Sequence, residues 1–305
     1  MVRRTVRPAR TVQGLVTVMT TALLSPATDL TAHTVAGLAV DALRSEADLT
    51  PKPGLVDRRG SGAHSDMDTA LLHASAESLR PVFTDCATAA IQLGIGAELR
   101  AVLGVIGRAG EAAMLRATSG VNTHRGAVWA LGLLSAGSAL AADAAETVDV
   151  AARLARIPDP ALDAVDTTSH GAVARRRFGV GGAVGQARSG FPHVRLHALP
   201  ALRTARRAGA DEGSARIEAL LALMAHLDDT CVLHRDGTSG LRAVQAGAQG
   251  VLDAGGYRTP LGRRQFAALD DMCLTRRISP GGSGDLLSVT LFLDALDERT
   301  APCKL

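Results

Sequence analysis

Residues 214–234 read Ser-Ala-Arg-Ile-Glu-Ala-Leu-Leu-Ala-Leu-Met-Ala-His-Leu-Asp-Asp-Thr-Cys-Val-Leu-His, the part of the chain with the clearest helical pattern. Its apolar side chains recur at helical spacing, because Ile217, Leu221 and Met224 lie on one face. Alanine and leucine, which dominate the stretch, also favour the helix intrinsically. The pattern predicts one continuous helix that holds the Asp228 carboxylate on its inward face.

The same helical spacing covers most of the chain. No alternating run of β-branched and aromatic residues is long enough to predict a strand. We therefore expect an all-α fold, a single compact domain of about eleven helices with glycine-rich active-site loops. The expected helices span residues 31–49, 67–79, 82–93, 97–118, 125–142, 144–157, 195–208, 214–234, 241–254, 263–275 and 286–296.

The chain is expected to divide into three parts. Residues 1–28 begin with several arginines and are weakly periodic, which predicts a flexible N-terminal extension. Residues 29–298 are expected to form the all-α catalytic domain, and residues 299–305 a C-terminal tail. Prolines and a cluster of glycines interrupt the helical pattern between 158 and 194, which predicts a loop that crosses the site.

Composition excludes several classes of function. The chain has 305 residues, of which 47% are hydrophobic and 21% charged, as in ordinary soluble globular proteins. Aromatic residues make up only 2%, too few for stacking on nucleic-acid bases, so no nucleic-acid partner is expected. No apolar run reaches the roughly 18 residues of a membrane helix. The four cysteines form no CxxC pair, which favours a reducing cytoplasm.

Residues 50–68 read Thr-Pro-Lys-Pro-Gly-Leu-Val-Asp-Arg-Arg-Gly-Ser-Gly-Ala-His-Ser-Asp-Met-Asp, a polar segment in an alanine- and leucine-rich chain. Proline and glycine keep this segment out of a helix and let its backbone approach a ligand. Its carboxylates beside cations suit a metal-bound polyphosphate, so the segment is a candidate ligand site. The alternative interpretation is a solvated loop between helices. Its candidates are Lys52, Gly54, Arg58 and His64 for phosphate binding, and Asp66 and Asp68 for catalysis.

Three later segments, residues 120–126, 223–235 and 279–290, carry similar chemistry. Residues 120–126 and 279–290 each lead into a helix, and the first amides of a helix attract an anion. For both segments the alternative to an anion site is a turn that only caps the helix. The candidates for phosphate binding here are Asn122, Arg125, His234, Arg235, Ser279, Gly281, Gly282 and Ser283, and those for catalysis are His124 and Asp229.

Carboxylates of these segments also suggest a metal ion. Mg²⁺ takes one or two carboxylates together with phosphate oxygens and water, and a row of two carboxylates followed by Arg235 fits that preference. A salt bridge at a helix end is the alternative for Asp228, and a helix cap for Asp285. The histidines lack zinc-site spacing. The metal-ligand candidates are Asp228, Asp229, Asp66 and Asp285.

Taken together and in this order, the four segments resemble the triphosphoribosyl-dephospho-CoA synthase family, which makes the prosthetic-group precursor of malonate decarboxylase and citrate lyase. The match spans roughly residues 30–295, and the Thr167-Thr-Ser-His-Gly171 stretch favours the malonate decarboxylase type. The family usually carries Gly-Ala-Arg-Gly-Glu-Ala before Gly-Phe-Pro. Here Val184 and Gln186 replace that cation and carboxylate, which predicts altered catalysis if those charges act in the reaction.

The resemblance implies that the 2′-hydroxyl of 3′-dephospho-CoA attacks the ribose C1′ of ATP and expels adenine. ATP is then a substrate, Mg²⁺ the expected metal, and carboxylates stabilise an oxocarbenium-like state. The product would pass to a phosphoribosyl transferase and an acyl-carrier protein. Two other interpretations stay open: a helical Mg²⁺-dependent phosphohydrolase acting on a nucleotide or pyrophosphate, and a helical scaffold that binds an acyl-carrier protein.

Overall fold

A computed structural model of the chain describes residues 30–161 and 169–300. Within those two ranges it contains thirteen α-helices, one π turn (Val194–Ala198) and no β-strand, which confirms the all-α prediction. The helices are α1 (Ala32–Asp48), α2 (Thr69–Ser78), α3 (Arg80–Leu93), α4 (Ala97–Ala117), α5 (Arg125–Ser138), α6 (Ala144–Arg156), α7 (His170–Phe178), α8 (Gly182–Arg188), α9 (Leu199–Arg207), α10 (Glu212–His226), α11 (Thr230–Asp253), α12 (Pro260–Thr275) and α13 (Gly281–Thr300).

The predicted extension over residues 1–28 lies outside the described residues, as do 301–305 of the predicted tail. Residues 299 and 300, which we expected in that tail, form the end of α13. Part of the stretch quoted from 167 to 171 is also outside the described ranges.

Helix α5 lies at the centre of the fold. Eleven of its fourteen residues are buried, and it packs against α1, α3, α4, α6, α8 and α13. Small residues are common in α5, as its sequence Arg-Gly-Ala-Val-Trp-Ala-Leu-Gly-Leu-Leu-Ser-Ala-Gly-Ser shows, and they let neighbouring helices approach. The hydrophobic core therefore surrounds this helix and continues along α10 and α13.

Two predicted loops contain helices. In the glycine-rich region from 158 to 194, Ser169 caps α7 by accepting a hydrogen bond from Ala172 N (3.3 Å), and α8 follows. The segment from 279 to 284 was expected as a loop, but α13 already begins at Gly281. These additional helices raise the count above the eleven expected.

The prediction of one continuous helix over 214–234 is wrong. Helix α10 ends at His226, and α11 begins at Thr230 after an extended turn. Asp229 adopts the extended backbone of an N-cap, and its side chain accepts hydrogen bonds from the first amides of α11, which stabilises a new helix start. Helix α11 then includes the separately predicted helix 241–254, with a kink at Gly237 (φ 65°).

The N-termini of α5, α11 and α13 open onto one cavity, because residues of each first turn line its wall. Partial positive charge at these three helix starts makes the cavity favourable for anions. None of the helices in the described residues is both long and apolar enough to cross a membrane.

Candidate active site

One large cavity, about 970 Å³ in volume, gathers residues from all four polar segments. Ligand pockets typically measure about 300–1,000 Å³, so this one is large enough for a substrate of nucleotide size. The predicted site residues that line it are Lys52, His64, Asp66, Asn122, His124, Arg125, Asp228, Asp229, His234, Arg235, Ser279, Gly281, Gly282 and Asp285.

Four predicted site residues lie outside the cavity wall. Asp68 is the N-cap of α2, where it accepts a hydrogen bond from Leu71 N (2.7 Å). Gly54 packs so closely that a Cβ would come within 2.3 Å of the Ile278 carbonyl oxygen. Arg58 is exposed, and Ser283 is buried beneath the wall. Packing and capping therefore account for Gly54, Asp68 and Ser283, whereas Arg58 faces the solvent.

Lys52 lines the cavity but is already paired. Only 1% of the residue is exposed, and its Nζ donates to the Glu46 carbonyl oxygen and to Glu46 Oε1, both at 2.7 Å. Sequence analysis missed Glu46, because it lies within the apolar pattern of α1. The pair fixes the start of the 50–68 segment against α1.

A second buried carboxylate holds the same segment in place. Asp57 accepts the backbone N–H groups of Lys52 and Arg59, each at 2.8 Å, and the Arg59 side chain. Arg59 in turn pairs with Asp270 on α12 at 2.6 Å. Many of the charges in this segment are thus used to order the loop, which supplies the cavity wall with a fixed backbone.

His64, Arg235 and Ser279 meet at one part of the wall, which we call the histidine corner. Arg235 Nη2 donates to His64 Nδ1 (3.2 Å), so Nε2 carries the ring proton and donates to Ser279 Oγ (2.8 Å). Burial, followed by the charge of Arg235, lowers the pKa of His64 and keeps the ring neutral. Asp66 Oδ1 lies 3.6 Å from Nδ1. Three predicted segments are joined here.

His124 is buried at the start of α5, and only one of its two ring nitrogens has a hydrogen-bond partner among the described residues. Its Nδ1 is 2.7 Å from Ser75 Oγ, and Ser75 Oγ is 2.6 Å from Thr123 Oγ1. Its Nε2 has no hydrogen-bond partner among the described residues. Burial lowers the pKa of His124 to about 4, so the ring is neutral near pH 7. A neutral imidazole with an unused nitrogen can accept or donate one proton.

Asp229 links the N-termini of two helices. Its Oδ1 accepts from the backbone N–H groups of Cys231 (2.9 Å), Val232 (3.4 Å) and Gly282 (3.2 Å), and its Oδ2 accepts from Ser283 N (2.8 Å) and Oγ (3.0 Å). Because a carboxylate offers about four lone-pair positions, these five donors leave none for a metal ion. The geometry indicates a structural cap in place of the predicted metal ligand.

Asp285 reaches from α13 to the N-terminus of α5. A Cβ on Gly126 would lie 2.1 Å from Asp285 Oδ2, so only glycine permits this approach. Burial, then the nearby charges of Glu46 and Asp229, raises the pKa of Asp285 well above its usual value, although a hydrogen bond from the Ala127 backbone lowers it. The surroundings of this carboxyl group therefore favour its protonated form.

Asp228 contrasts with its neighbour Asp229, since it is exposed and lines the cavity. The described residues contain no group of three or more His, Cys, Asp or Glu side chains placed to hold a metal ion. Mg²⁺ that binds with substrate phosphates needs only one or two protein carboxylates, and Asp228 and Asp66 supply that type of ligand.

A further part of the wall contains cations that sequence analysis missed. Arg100 and Arg108 on α4 both pair with Asp159 Oδ2, at 3.3 and 3.0 Å. Arg100, Gly104 and Arg108 recur every four residues and so share one helix face, a signal that was visible in the sequence. Gly104 lets Asp159 approach, because a Cβ there would lie 2.1 Å from Oδ2.

Comparison with known proteins agrees with this geometry. A family model described as ATP:dephospho-CoA triphosphoribosyl transferase matches residues 32–303. A protein of Stutzerimonas stutzeri named probable 2-(5''-triphosphoribosyl)-3'-dephosphocoenzyme-A synthase is 56% identical over 278 residues, which cover 90% of this chain and 96% of that protein. Proteins with the same name from Pseudomonas putida (57% over 263 residues; 85% and 93%) and Azotobacter vinelandii (54% over 270 residues; 87% and 92%) are also similar.

No solved structure matches the chain. The family match covers most of the 305 residues and includes every segment of the cavity wall. These findings confirm the resemblance noted in the sequence, and the chain belongs to the ATP:dephospho-CoA triphosphoribosyl transferase family.

Proposed function

We propose that this protein transfers the triphosphoribosyl group of ATP to 3′-dephospho-CoA and releases adenine. The bond between ribose C1′ and the adenine nitrogen breaks, and a bond between C1′ and the 2′-oxygen of dephospho-CoA forms. The 2′-hydroxyl loses one proton and adenine gains one, so atoms and charge balance. The product is 2'-(5''-triphosphoribosyl)-3'-dephospho-CoA.

The observation that carries this proposal is the single cavity that joins the four polar segments. It combines three helix N-termini, the histidine corner and buried groups able to move protons. The helix N-termini and the histidine corner suit a triphosphate. The buried groups suit the movement of a proton from the attacking hydroxyl and to the departing adenine.

Two groups suit the proton steps. We assign His124 as the group that accepts the proton of the 2′-hydroxyl, because its ring is neutral and its Nε2 has no protein partner. Asp285 suits the opposite task of donating a proton to the departing adenine, because its surroundings favour the protonated acid. Both lie at the N-terminus of α5, so both contact the same part of the cavity.

Mg²⁺ belongs to this proposal as a partner of the triphosphate. Asp228 and Asp66 would hold it, because their carboxylates lie in the wall and no helix cap occupies them. When bound, the ion would neutralise phosphate charge and orient the triphosphate. Asp229 takes no part, since its lone pairs are used by α11 and α13.

The biological setting is proposed from the family resemblance and from the Thr167-Thr-Ser-His-Gly171 stretch. We propose the malonate decarboxylase type, with a phosphoribosyl transferase and an acyl-carrier protein as the next acceptors of the product, and a cytoplasmic location. Both pathways use the same product, so the genes that neighbour this one are the observation that distinguishes malonate decarboxylase from citrate lyase.

The reaction is tested by product analysis. With ATP, Mg²⁺ and 3′-dephospho-CoA, the purified protein is expected to release adenine in an amount equal to the triphosphoribosyl product, measured by chromatography. Omitting dephospho-CoA is the control and should stop adenine release. Phosphate or ADP formed from ATP alone would instead support a phosphohydrolase, and the absence of any nucleotide binding would support a scaffold.

Replacing Gly126 by alanine is expected to lower the rate of adenine release at least about tenfold, because the new Cβ displaces the Asp285 carboxyl group. Gly132→Ala on the same helix is the matched control. Its Cβ would lie 3.6 Å from Cys86 Sγ, an ordinary contact, so activity should stay near that of the wild type. Equal rates in the two variants would remove Asp285 from the reaction.

A further inference from the structure

The cavity has a second cationic region, which we call the arginine wall and define by Arg100, Arg108, Arg175 and Trp129. Arg100 is 2% exposed, and its guanidinium carbon lies 5.2 Å from the centre of the Trp129 ring. Helices α4, α5 and α7 supply these residues, whereas the histidine corner comes from the 50–68 segment, α11 and residue 279. The two regions are therefore built from separate elements of the fold.

Buried polar atoms in the arginine wall lack protein partners. Within the described residues, neither Arg100 Nε nor Trp129 Nε1 donates a hydrogen bond, although both residues line the cavity. Gln186, also in the cavity wall, donates to His193 Nδ1 (2.7 Å) while its Oε1 accepts nothing. An unpaired buried donor costs about 1–3 kcal/mol, so two such N–H groups together point to an acceptor that is supplied by a ligand.

Charge in this region also exceeds what its own carboxylates neutralise. Asp159 lies between Arg100 and Arg108, and the described residues give Arg175 no carboxylate partner. Arg188 lies close enough to lower the pKa of both Arg100 and Arg175, in each case after burial as the larger cause. The planar guanidinium of arginine can donate two parallel hydrogen bonds to phosphate oxygens. The surplus positive charge therefore suits a diphosphate.

We propose that the arginine wall binds the diphosphate of 3′-dephospho-CoA, while the triphosphate of ATP lies at the histidine corner. The inference rests on the proposed function, because it divides the two substrates of that reaction between two regions of one cavity. Trp129 Nε1–H and the Arg100 and Arg108 side chains are the groups assigned to the diphosphate oxygens.

The positions of the carboxylates indicate which region binds the triphosphate of ATP and which binds the diphosphate of dephospho-CoA. Asp66 adjoins the histidine corner, where Mg²⁺ can join its carboxylate to a triphosphate. In the arginine wall, Asp159 already accepts from two arginines and from Ala161 N (3.0 Å), which leaves it little capacity for a metal. A diphosphate held by arginine and indole N–H groups needs no metal ion.

The test uses the full chain and isothermal titration calorimetry, with 3′-dephospho-CoA and ATP titrated separately. Arg108→Gln should weaken dephospho-CoA binding about tenfold to a hundredfold, the effect of losing a charged hydrogen bond, and leave ATP affinity within about twofold. Trp129→Phe keeps an aromatic ring and loses Nε1–H, so a smaller loss of about twofold to tenfold is expected for dephospho-CoA alone. Arg264→Gln, an exposed residue outside the cavity, is the matched control.

Unchanged dephospho-CoA affinity in both variants overturns the proposal, as does a loss of ATP affinity of equal or greater size. Failure of the wild type to bind dephospho-CoA overturns it as well. Adenine release is measured in parallel on the wild type. If the variants lose dephospho-CoA affinity as expected but the wild type releases no adenine, the proposed reaction fails and the binding assignment stands. If the wild type releases adenine while the variants bind normally, only the assignment fails.

Discussion

Lys52→Met is expected to lower the free energy of unfolding by about 3–5 kcal/mol. Methionine keeps most of the aliphatic length but leaves the Glu46 carboxylate buried without its partner, since Lys52 Nζ donates to both Glu46 Oε1 and the Glu46 carbonyl oxygen. If Lys52 bound phosphate, as the sequence suggests, the same change would weaken nucleotide binding at nearly constant stability. The structure reverses that expectation, and urea unfolding monitored by circular dichroism measures it.

Arg58→Met is the control for Lys52→Met, because Arg58 belongs to the same segment and is exposed. Its free energy of unfolding should stay within about 0.5 kcal/mol of the wild type. The double variant Glu46→Gln with Lys52→Met should recover part of the loss, because no unpaired charge remains buried. A single Lys52→Met variant as stable as the wild type would show that the pair contributes nothing to folding.

Asp229→Asn is expected to cost about 2–4 kcal/mol, because its NH₂ group cannot accept the hydrogen bonds that one carboxylate oxygen accepts now. Either Ser283 or the first amides of α11 then lose their acceptor. If Asp229 were the metal ligand that the sequence suggests, this change would leave the fold intact and weaken Mg²⁺-dependent ATP binding. Thermal unfolding without ligand distinguishes the two outcomes, because a metal ligand would leave that transition unchanged.

Asp228→Asn provides a neighbouring control of the same chemistry. Asp228 is exposed and caps no helix, so its substitution should leave unfolding within about 0.5 kcal/mol of the wild type. Calorimetry should instead show weaker ATP binding in the presence of Mg²⁺. If Asp229→Asn spared stability and weakened Mg²⁺-dependent binding, the capping role assigned to it would be wrong.

Helical spacing predicted the fold well where apolar residues recur over several turns, as in α1, α4 and α12. It failed at Asp229, because the inward-facing pattern of 214–234 continues through a residue that also makes a good N-cap. Ser283, which completes that cap, lies 54 residues further along the chain. A partner at such a distance leaves no periodic signal, so the break between α10 and α11 could not be read from the sequence.

The residues of the candidate site were likewise found only where the sequence itself carries a local signal. Polar residues in glycine- and proline-rich segments, such as His64 and Ser279, were found because their composition differs from that of the surrounding helices. Glu46 was not found, because it lies within the apolar pattern of α1, and Arg100 was overlooked although it shares one face of α4 with Gly104 and Arg108. Pairing across the fold gives these residues their roles, and a single sequence records no pairing.

The contacts of the 50–68 segment also determine when the cavity wall can be completed during synthesis of the chain. His64 and Gly54 bond to Ser279 and Asp270, which lie 215 and 216 residues later in the chain. A ribosome that has made α1 to α10 has therefore produced a bundle without a finished substrate cavity. Since such distant contacts form slowly and late, we expect the cavity wall to be complete only after α13 has emerged from the ribosome.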